Sequence, residues 1–394
     1  MDSGAAREGF LAPYKVLDLT DARGILAGHL FAQLGAEVIA VEPPGGSTAR
    51  TLPPFANGES LFWAAYAAGK SSVVLDICTP QGQAALQQMA EQADFLIGSF
   101  TPEEQRRMGL DYAALRRENP RLITVNIGGF GEAGSKANYA DSDLTIWAAA
   151  GLLWPHRGQD GVPLRISVPQ VFHHAAADAL AGALIALYAR HSSGEGQHVS
   201  VSAQQSGMLA GLSQHIAPAI GHENYNGNGG AQAAMMAAAG LGLGAGAKWQ
   251  VKDGLVEMNL GLGPISGVFA NTFFAWARAN CGFDADFSHW DWRQLPKQLD
   301  AGERTVADLQ RARAGVAQLL AGFTKMELFI EAERHDLKLA PVMTAADLLA
   351  FSQLTTRGYF VDAGGTKLPH AMNIACATNT ALSAAPGLAA AYVA

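Results

Sequence analysis

At 394 residues the chain is longer than one hydrophobic core usually serves, about 250–300 residues, so two domains are expected. Apolar residues make up 49% and charged ones 16%, with 44 glycines, which excludes a disordered chain and leaves ample material for a core. The net charge of −8 offers no basic footprint; nucleic acid is excluded as the expected partner, and any anionic ligand must rely on local Arg, Lys and helix N-termini.

The opening stretch, "MDSGAAREGFLAPY", has no charged segment followed by an apolar one, so no signal peptide is expected. Short, β-branched runs then recur at 14–20 (YKVLDLT), 37–42 (EVIAVE), 71–77 (SSVVLDI), 94–99 (DFLIGS) and 122–128 (LITVNIG), and read as strands. Between several of them lie helical patterns, "ILAGHLFAQLGA", "QGQAALQQMAEQ" and "DYAALRREN". Near-continuous apolar strands separated by helices predict a parallel sheet covered on both faces. The expected fold is α/β, a Rossmann-like doubly wound domain whose ligands lie beyond the carboxyl ends of the strands. Polar and glycine residues gather at those ends: Thr20–Arg23, Glu42–Gly46, Ser99 and Gly128–Gly131. Neither GxGxxG after the first strand nor GxxxxGK[ST] is present, so neither a dinucleotide cofactor nor P-loop chemistry is indicated.

Residues 168–202, "VPQVFHHAAADALAGALIALYARHSSGEGQHVSVS", run from a proline turn through Phe172, His173 and His174 into an apolar helix over 171–191 and a short strand. The apolar run Ala175–Ala189 contains Asp178 and is short for a bilayer, so no membrane span is expected. From about 220 the texture changes. "HENYNGNGGAQAAMMAAAGLGLGAGA" suggests a linker or mobile loop. "KWQVKDGLVEMNL" reads as two strands joined through Asp253-Gly254, and helices are expected at about 264–281, 305–322 and 325–334. This is a smaller α+β unit, after which "APVMTAADLLAFSQLTTRGYFVDAGG" carries the chain back. The organisation is thus a large domain over 1–215, a small one over 216–340, and a return over 341–394. Cys78, Cys281 and Cys376 are scattered without CxxC spacing, which predicts no metal site and no disulfide framework and suits a cytoplasmic location.

Five segments, in order, resemble the family III CoA-transferases, a family that includes formyl-CoA transferase, the carnitine-CoA and bile-acid-CoA transferases and α-methylacyl-CoA racemase. They are "VLDLTDARGILAGHLFAQLGAEVIAVEPPGGSTAR", "AGKSSVVLDICTPQGQAAL", "ADFLIGSFTPEEQRRMGLDYAALRRENPRLITVNIGGFGEAG", "SSGEGQHVSVS" and "APVMTAADLLAFSQLTTRGYF". The resemblance thins over 203–247 and after 362. It implies a large Rossmann-like domain built from both chain ends, a small domain, and two subunits threaded through each other as an interlocked homodimer. It also implies coenzyme A or an acyl-CoA as substrate, a small carboxylic acid beside it, and no tightly bound cofactor.

In that family's transferases the residue three after the proline of this turn is an aspartate, which attacks the thioester and carries the acyl group as a mixed anhydride. Counting back without a gap from "SGEGQHV" puts Phe172 there, and phenylalanine can neither attack nor hold a proton. The racemase branch needs that same aspartate and a histidine where this chain has Ser142, so both racemase groups are missing. Asp143, next to it, aligns with an acidic position beside the thioester in formyl-CoA transferase, and is also a plausible helix-start charge. His173 and His174 diverge by about 100° on a helix and cannot both face one ligand. Near a helix N-terminus an imidazole is kept neutral and can act as a general base, or it can simply cap or pack.

For the CoA phosphates the resemblance points to Arg107 at the nucleotide end, to Lys136 near a phosphate-binding lysine, and to Arg23 at the adenosine part. Gly129, in the Gly128–Gly131 turn, offers backbone N–H groups, as does the start of the 171–191 helix; both are candidate oxyanion donors. Gly240, Gly242, Gly244 and Gly246 fall where formyl-CoA transferase has a mobile glycine loop, with a plain linker as the competing reading. Trp147, Trp154 and Phe172 suggest a bulky apolar pocket, though aromatic side chains are core by default. The function expected is acyl-CoA processing without an aspartyl nucleophile, by transfer or by lyase, hydratase or isomerase chemistry. A non-catalytic CoA-thioester binder or regulatory partner is the alternative, and a scaffold keeping only the dimer fold is the third reading.

Overall fold

A computed structural model of the protein describes residues 9–110, 112–153, 162–166, 168–221, 247–363, 366–369 and 382–389. The chain forms two compact units, Met1–Tyr225 with Ser352–Ala394, and Asn226–Phe351.

The first unit alternates strands and helices. Strand β1 (Lys15–Leu19) is followed by α1 (Ile25–Gln33), β2 (Glu37–Glu42), the two-residue strands β3 (Phe55–Ala56) and β4 (Glu59–Ser60), and α2 (Leu61–Tyr66). Next come β5 (Lys70–Val74), α3 (Pro80–Ala90), β6 (Phe95–Gly98), α4 (Pro102–Met108), α5 (Tyr112–Glu118) and β7 (Ile123–Gly128). Helices α6 (Asp143–Ala149) and α7 (Val171–Ser193), strand β8 (His198–Ser202) and helix α8 (Ala203–Ala210) complete the part that concerns the site. Six strands form one sheet in the order β5-β2-β1-β6-β7-β8, every neighbouring pair parallel. This is the expected doubly wound α/β arrangement. Its strand order reverses between β1 and β6, and ligands of such sheets lie in the crevice beyond the carboxyl ends at that point.

The reason for the burial is local. All six residues of β7, "ITVNIG", are buried, as a strand covered on both faces requires. On one face Phe31 of α1 and Ala175, Ala176, Ala179 and Ala183 of α7 pack in one core with Val16, Phe95, Ile97 and Val125 of the strands. Alanines let α7 lie close to the sheet. Gly28 plays the same part in α1: a Cβ there would stand 2.0 Å from Asp18 Oδ2. That oxygen accepts from Lys70 Nζ at 2.7 Å, a buried pair that ties β5 to β1 across β2.

Two expectations are corrected. α7 is 23 residues long and apolar enough to cross a bilayer, so the argument from shortness fails. Half of its apolar window is buried, and its composition serves the packing of a core helix. Helix α4 was missed, although "TPEE" is a legible start: Thr101 and Glu104 form a reciprocal capping box, with Pro102 in the first turn.

The second unit carries an antiparallel sheet in the order β11-β10-β9, from β9 (Lys248–Val251), β10 (Gly254–Met258) and β11 (Leu339–Val342). The hairpin turns at Asp253-Gly254 as its dipeptide predicts. Helices Gly263–Cys281, Val306–Leu320 and Lys325–His335 contribute, with β9 and β10, to a core that includes Trp249, Phe273, Phe274 and Trp292. Because β11 pairs with β10, the chain returns to the first unit at Ser352 rather than at 341. "LAPV" reads as a connector until its partner strand is known.

Candidate functional site

Two linked clusters stand at the carboxyl edge of the sheet. The first joins the ends of β1 and β6. Thr20 donates its backbone N–H (3.0 Å) and its hydroxyl (2.6 Å) to Asp18 Oδ1, closing the turn after β1. The Asp21 N–H donates to Ser99 Oγ at 3.0 Å. Arg23 then spans the crevice: Nε donates to Asp21 Oδ2 (2.9 Å), Nη2 to the Ser99 carbonyl (2.7 Å) and Nη1 to Asp141 Oδ1 (2.9 Å). Burial acts to lower the Arg23 pKa, but the carboxylates of Asp21 and Asp141 outweigh it and raise the value. Gly129 lies against the same carboxylate, since a Cβ there would meet Asp141 Oδ2 at 2.5 Å. Arg23 and Gly129 are therefore brought together through Asp141.

Arg107 and Lys136 lie elsewhere. Arg107 is exposed in the last turn of α4, and Lys136 is exposed with Nζ 4.8 Å from the ring centroid of Tyr139. Their segments are tied where the Glu103 N–H donates to Asn138 Oδ1 at 3.0 Å.

The second cluster surrounds the start of α7. Ser142 caps α6, and Asp143 is its first residue. The Asp143 carboxylate also reaches α7: Oδ1 accepts from the backbone N–H groups of Gln170 (2.8 Å) and Val171 (2.9 Å). Gln170 provides no side-chain cap, so Asp143 supplies the acceptor that the helix start lacks. The Val171 contact occupies one of the N–H groups at the helix start expected from sequence as oxyanion donors.

Phe172 is 3% exposed and packs in the main core with Val171, Ala175 and Trp147. The two histidines diverge onto different rings. His173 is half-buried with its ring centroid 5.4 Å from that of Tyr66, whereas exposed His174 stacks 6.4 Å from Trp147 at an interplanar angle of 17°. Burial lowers the His173 pKa, opposed by the nearby Asp143 carboxylate and assisted by His174. Among the described residues no group of three or more His, Cys, Asp and Glu stands together as a metal site. Trp154, Cys376 and the glycines at 240, 242, 244 and 246 lie outside the described residues.

The sequence profile of CoA-transferase family III matches residues 11–390. The chain belongs to that family. It is similar to the succinyl-CoA:(R)-benzylsuccinate CoA-transferase subunit BbsE of Thauera aromatica, 28% identical over 354 residues that cover 88% of this chain and 82% of the relative. The acetyl-CoA:oxalate CoA-transferase of Acetobacter aceti is 34% identical over 195 residues, 48% of this chain and 49% of the relative. The succinate–glutarate CoA-transferase of Agrobacterium fabrum is 36% identical over 201 residues, 49% of this chain and 50% of the relative. The match thus spans about half the length of these last two relatives. A crystal structure of a CaiB/BaiF family protein from Brucella suis shares the fold, with a TM-score of 0.75 at 23% identity over 97% of both chains.

In this family III chain the sequence reading did not single out Asp21, Asp141 or Tyr66. Asp141 had no local signal: its partner Arg23 is 118 residues away. His173 carries a pH expectation. An unfolded histidine titrates near pH 6.5, and the folded value is lower because burial disfavours the cation. Between the two values the unfolded chain holds a proton that the folded chain refuses, so stability is expected to fall as pH drops from 7 through 6.5. Denaturant titrations across pH 5–8 check this; His173→Gln should flatten the acid-side slope, and an unchanged slope would mean that 173 titrates normally.

Proposed function

We propose that this chain processes a CoA thioester at the carboxyl edge of its six-stranded sheet, without an aspartyl nucleophile at position 172. The observation that carries the reading is the convergence at the start of α7, where buried Phe172 precedes half-buried His173, two residues after Val171, whose N–H donates to the Asp143 carboxylate. Lowered basicity keeps His173 neutral near pH 7, the state in which an imidazole accepts a proton. Asp143 is anchored through Oδ1, so its charge is held in place to favour the imidazolium that forms. This pair suits proton transfer at Cα or Cβ of an acyl-CoA, as in lyase, hydratase or isomerase chemistry, or acyl transfer by direct attack of an acceptor carboxylate. Arg107 and Lys136 serve the CoA phosphates, and Arg23, in the turn after β1, serves the adenosine part. The relatives named above, which take succinyl-CoA or acetyl-CoA with a carboxylic acid, support the substrate class.

A second reading is a non-catalytic CoA-thioester-binding partner of an active transferase. It is favoured by the burial of Phe172 and by a relative that is itself named a subunit. Incubation in D2O with a panel of acyl-CoA thioesters and a small carboxylic acid, followed by mass spectrometry, separates the two. Acyl transfer, hydration or α-deuteration supports the first reading, and CoA binding with none of these supports the second. No binding of CoA or any acyl-CoA at millimolar concentration overturns both.

The functional species is proposed to be a cytoplasmic homodimer. Its support is an apolar pair one helical turn apart on the outer face of α7, with Ile185 70% and Tyr188 80% exposed. Large apolar side chains held so far out suit an interaction site. Ile185→Asp with Tyr188→Asp is expected to convert a dimer to monomer in sedimentation velocity. A wild-type monomer at micromolar concentration would overturn the dimer.

A further inference from the structure

We infer that the acyl group taken at this site is aromatic: an aryl or arylalkyl thioester seats its ring against Tyr66, Phe62 and His173. The inference rests on the CoA-thioester reading above. Helix α2, "LFWAAY", buries Trp63 and leaves Phe62 and Tyr66 half-buried. The Tyr66 ring centroid lies 4.7 Å from that of Phe62 at 57° and 5.4 Å from that of His173 at 48°. His29 meets Tyr66 edge-on at 6.4 Å and 88°. Phe62 and Tyr66 pack against a small core with Trp63 and, like His173, keep intermediate exposure. Tilted and edge-on contacts are also the geometry in which a further arene joins such a cluster.

Calorimetric titration with CoA, acetyl-CoA, succinyl-CoA, benzoyl-CoA and phenylacetyl-CoA tests this. One of the two aryl thioesters is expected to bind about tenfold more tightly than acetyl-CoA, the gain of one well-placed aromatic contact. Tyr66→Ala should bring that ratio toward one, and Tyr66→Phe should keep it, because the ring and not the hydroxyl makes the contact. Phe62→Ala repeats the test should Tyr66→Ala fail to fold. CoA bound with no aryl preference overturns the inference and leaves the CoA-thioester reading standing, as does a preference unchanged in both alanine variants. No binding of CoA or of any thioester overturns that reading and this inference with it.

Discussion

Phe172→Asp is expected to lower the unfolding free energy by about 4–8 kcal/mol and to yield no acyl-aspartyl adduct. Removing a fully buried phenyl ring costs about 3–5 kcal/mol through lost burial and the cavity left behind. The new carboxylate must then be buried among Val171, Ala175 and Trp147, which adds a desolvation cost of about 1–3 kcal/mol or forces it to remain protonated. Phe172→Leu, which keeps apolar volume, should cost only about 1–1.5 kcal/mol. Denaturant unfolding followed by circular dichroism gives both values. Hydroxylamine trapping after incubation with a turned-over acyl-CoA, with peptide mapping, gives the adduct. A Phe172→Asp protein as stable as the wild type, carrying a trapped acyl group at 172, would mean that this position opens to substrate. A modified carboxylate at Asp178 in the wild type would instead show that the ordinary transferase register applies.

Asp143→Asn is expected to reduce turnover by roughly 10²–10³, the range for losing one preorganised electrostatic stabiliser, with CoA affinity changed by less than about threefold. The variant is chosen for its geometry. An asparagine Oδ1 still accepts from the Gln170 and Val171 N–H groups, so the start of α7 stays pinned and only the charge is lost. Stability should fall by about 0.3–1 kcal/mol, from the lost interaction with the helix dipole. Asp143→Ala removes the acceptor as well and should cost about 1–3 kcal/mol more, because two N–H groups lose their partner. His173→Gln should match the activity loss of Asp143→Asn, while His174→Gln, on the exposed ring against Trp147, should retain most turnover. Turnover untouched by Asp143→Asn would reduce Asp143 to a helix-capping residue.

Much of the fold was legible in short range. β7 is buried along its whole length, and its run of Ile123, Val125 and Ile127 predicts that directly. The Asp253-Gly254 hairpin follows from turn chemistry alone, and the capping box of Thr101 and Glu104 is written in four consecutive residues even though it was not read. These signals are local because helix and strand periodicities, caps and two-residue turns depend on neighbours in the chain.

The candidate site was legible only as a set of residue types. Spacing alone required His173 and His174 to point apart, but which of them packs on Tyr66 and which on Trp147 depends on how α7 docks. Asp143 reads as a helix-start charge for α6; its grip on the N–H groups of Gln170 and Val171, 27 and 28 residues away, exists only once α6 and α7 are packed. Arg23 reads from sequence as a contact for the adenosine part of CoA; the hold of Asp21 and Asp141 on its guanidinium exists only once β1, β6 and residue 141 are packed together. The sequence by itself determined most strands of the parallel sheet, several of the helices and the family resemblance, since each rests on patterns within a few residues or on their order along the chain. The tertiary structure decided the pairing of charges and the owners of the free backbone donors, because hydrogen bonds and ion pairs between residues far apart in sequence depend on distances that only the packed core sets.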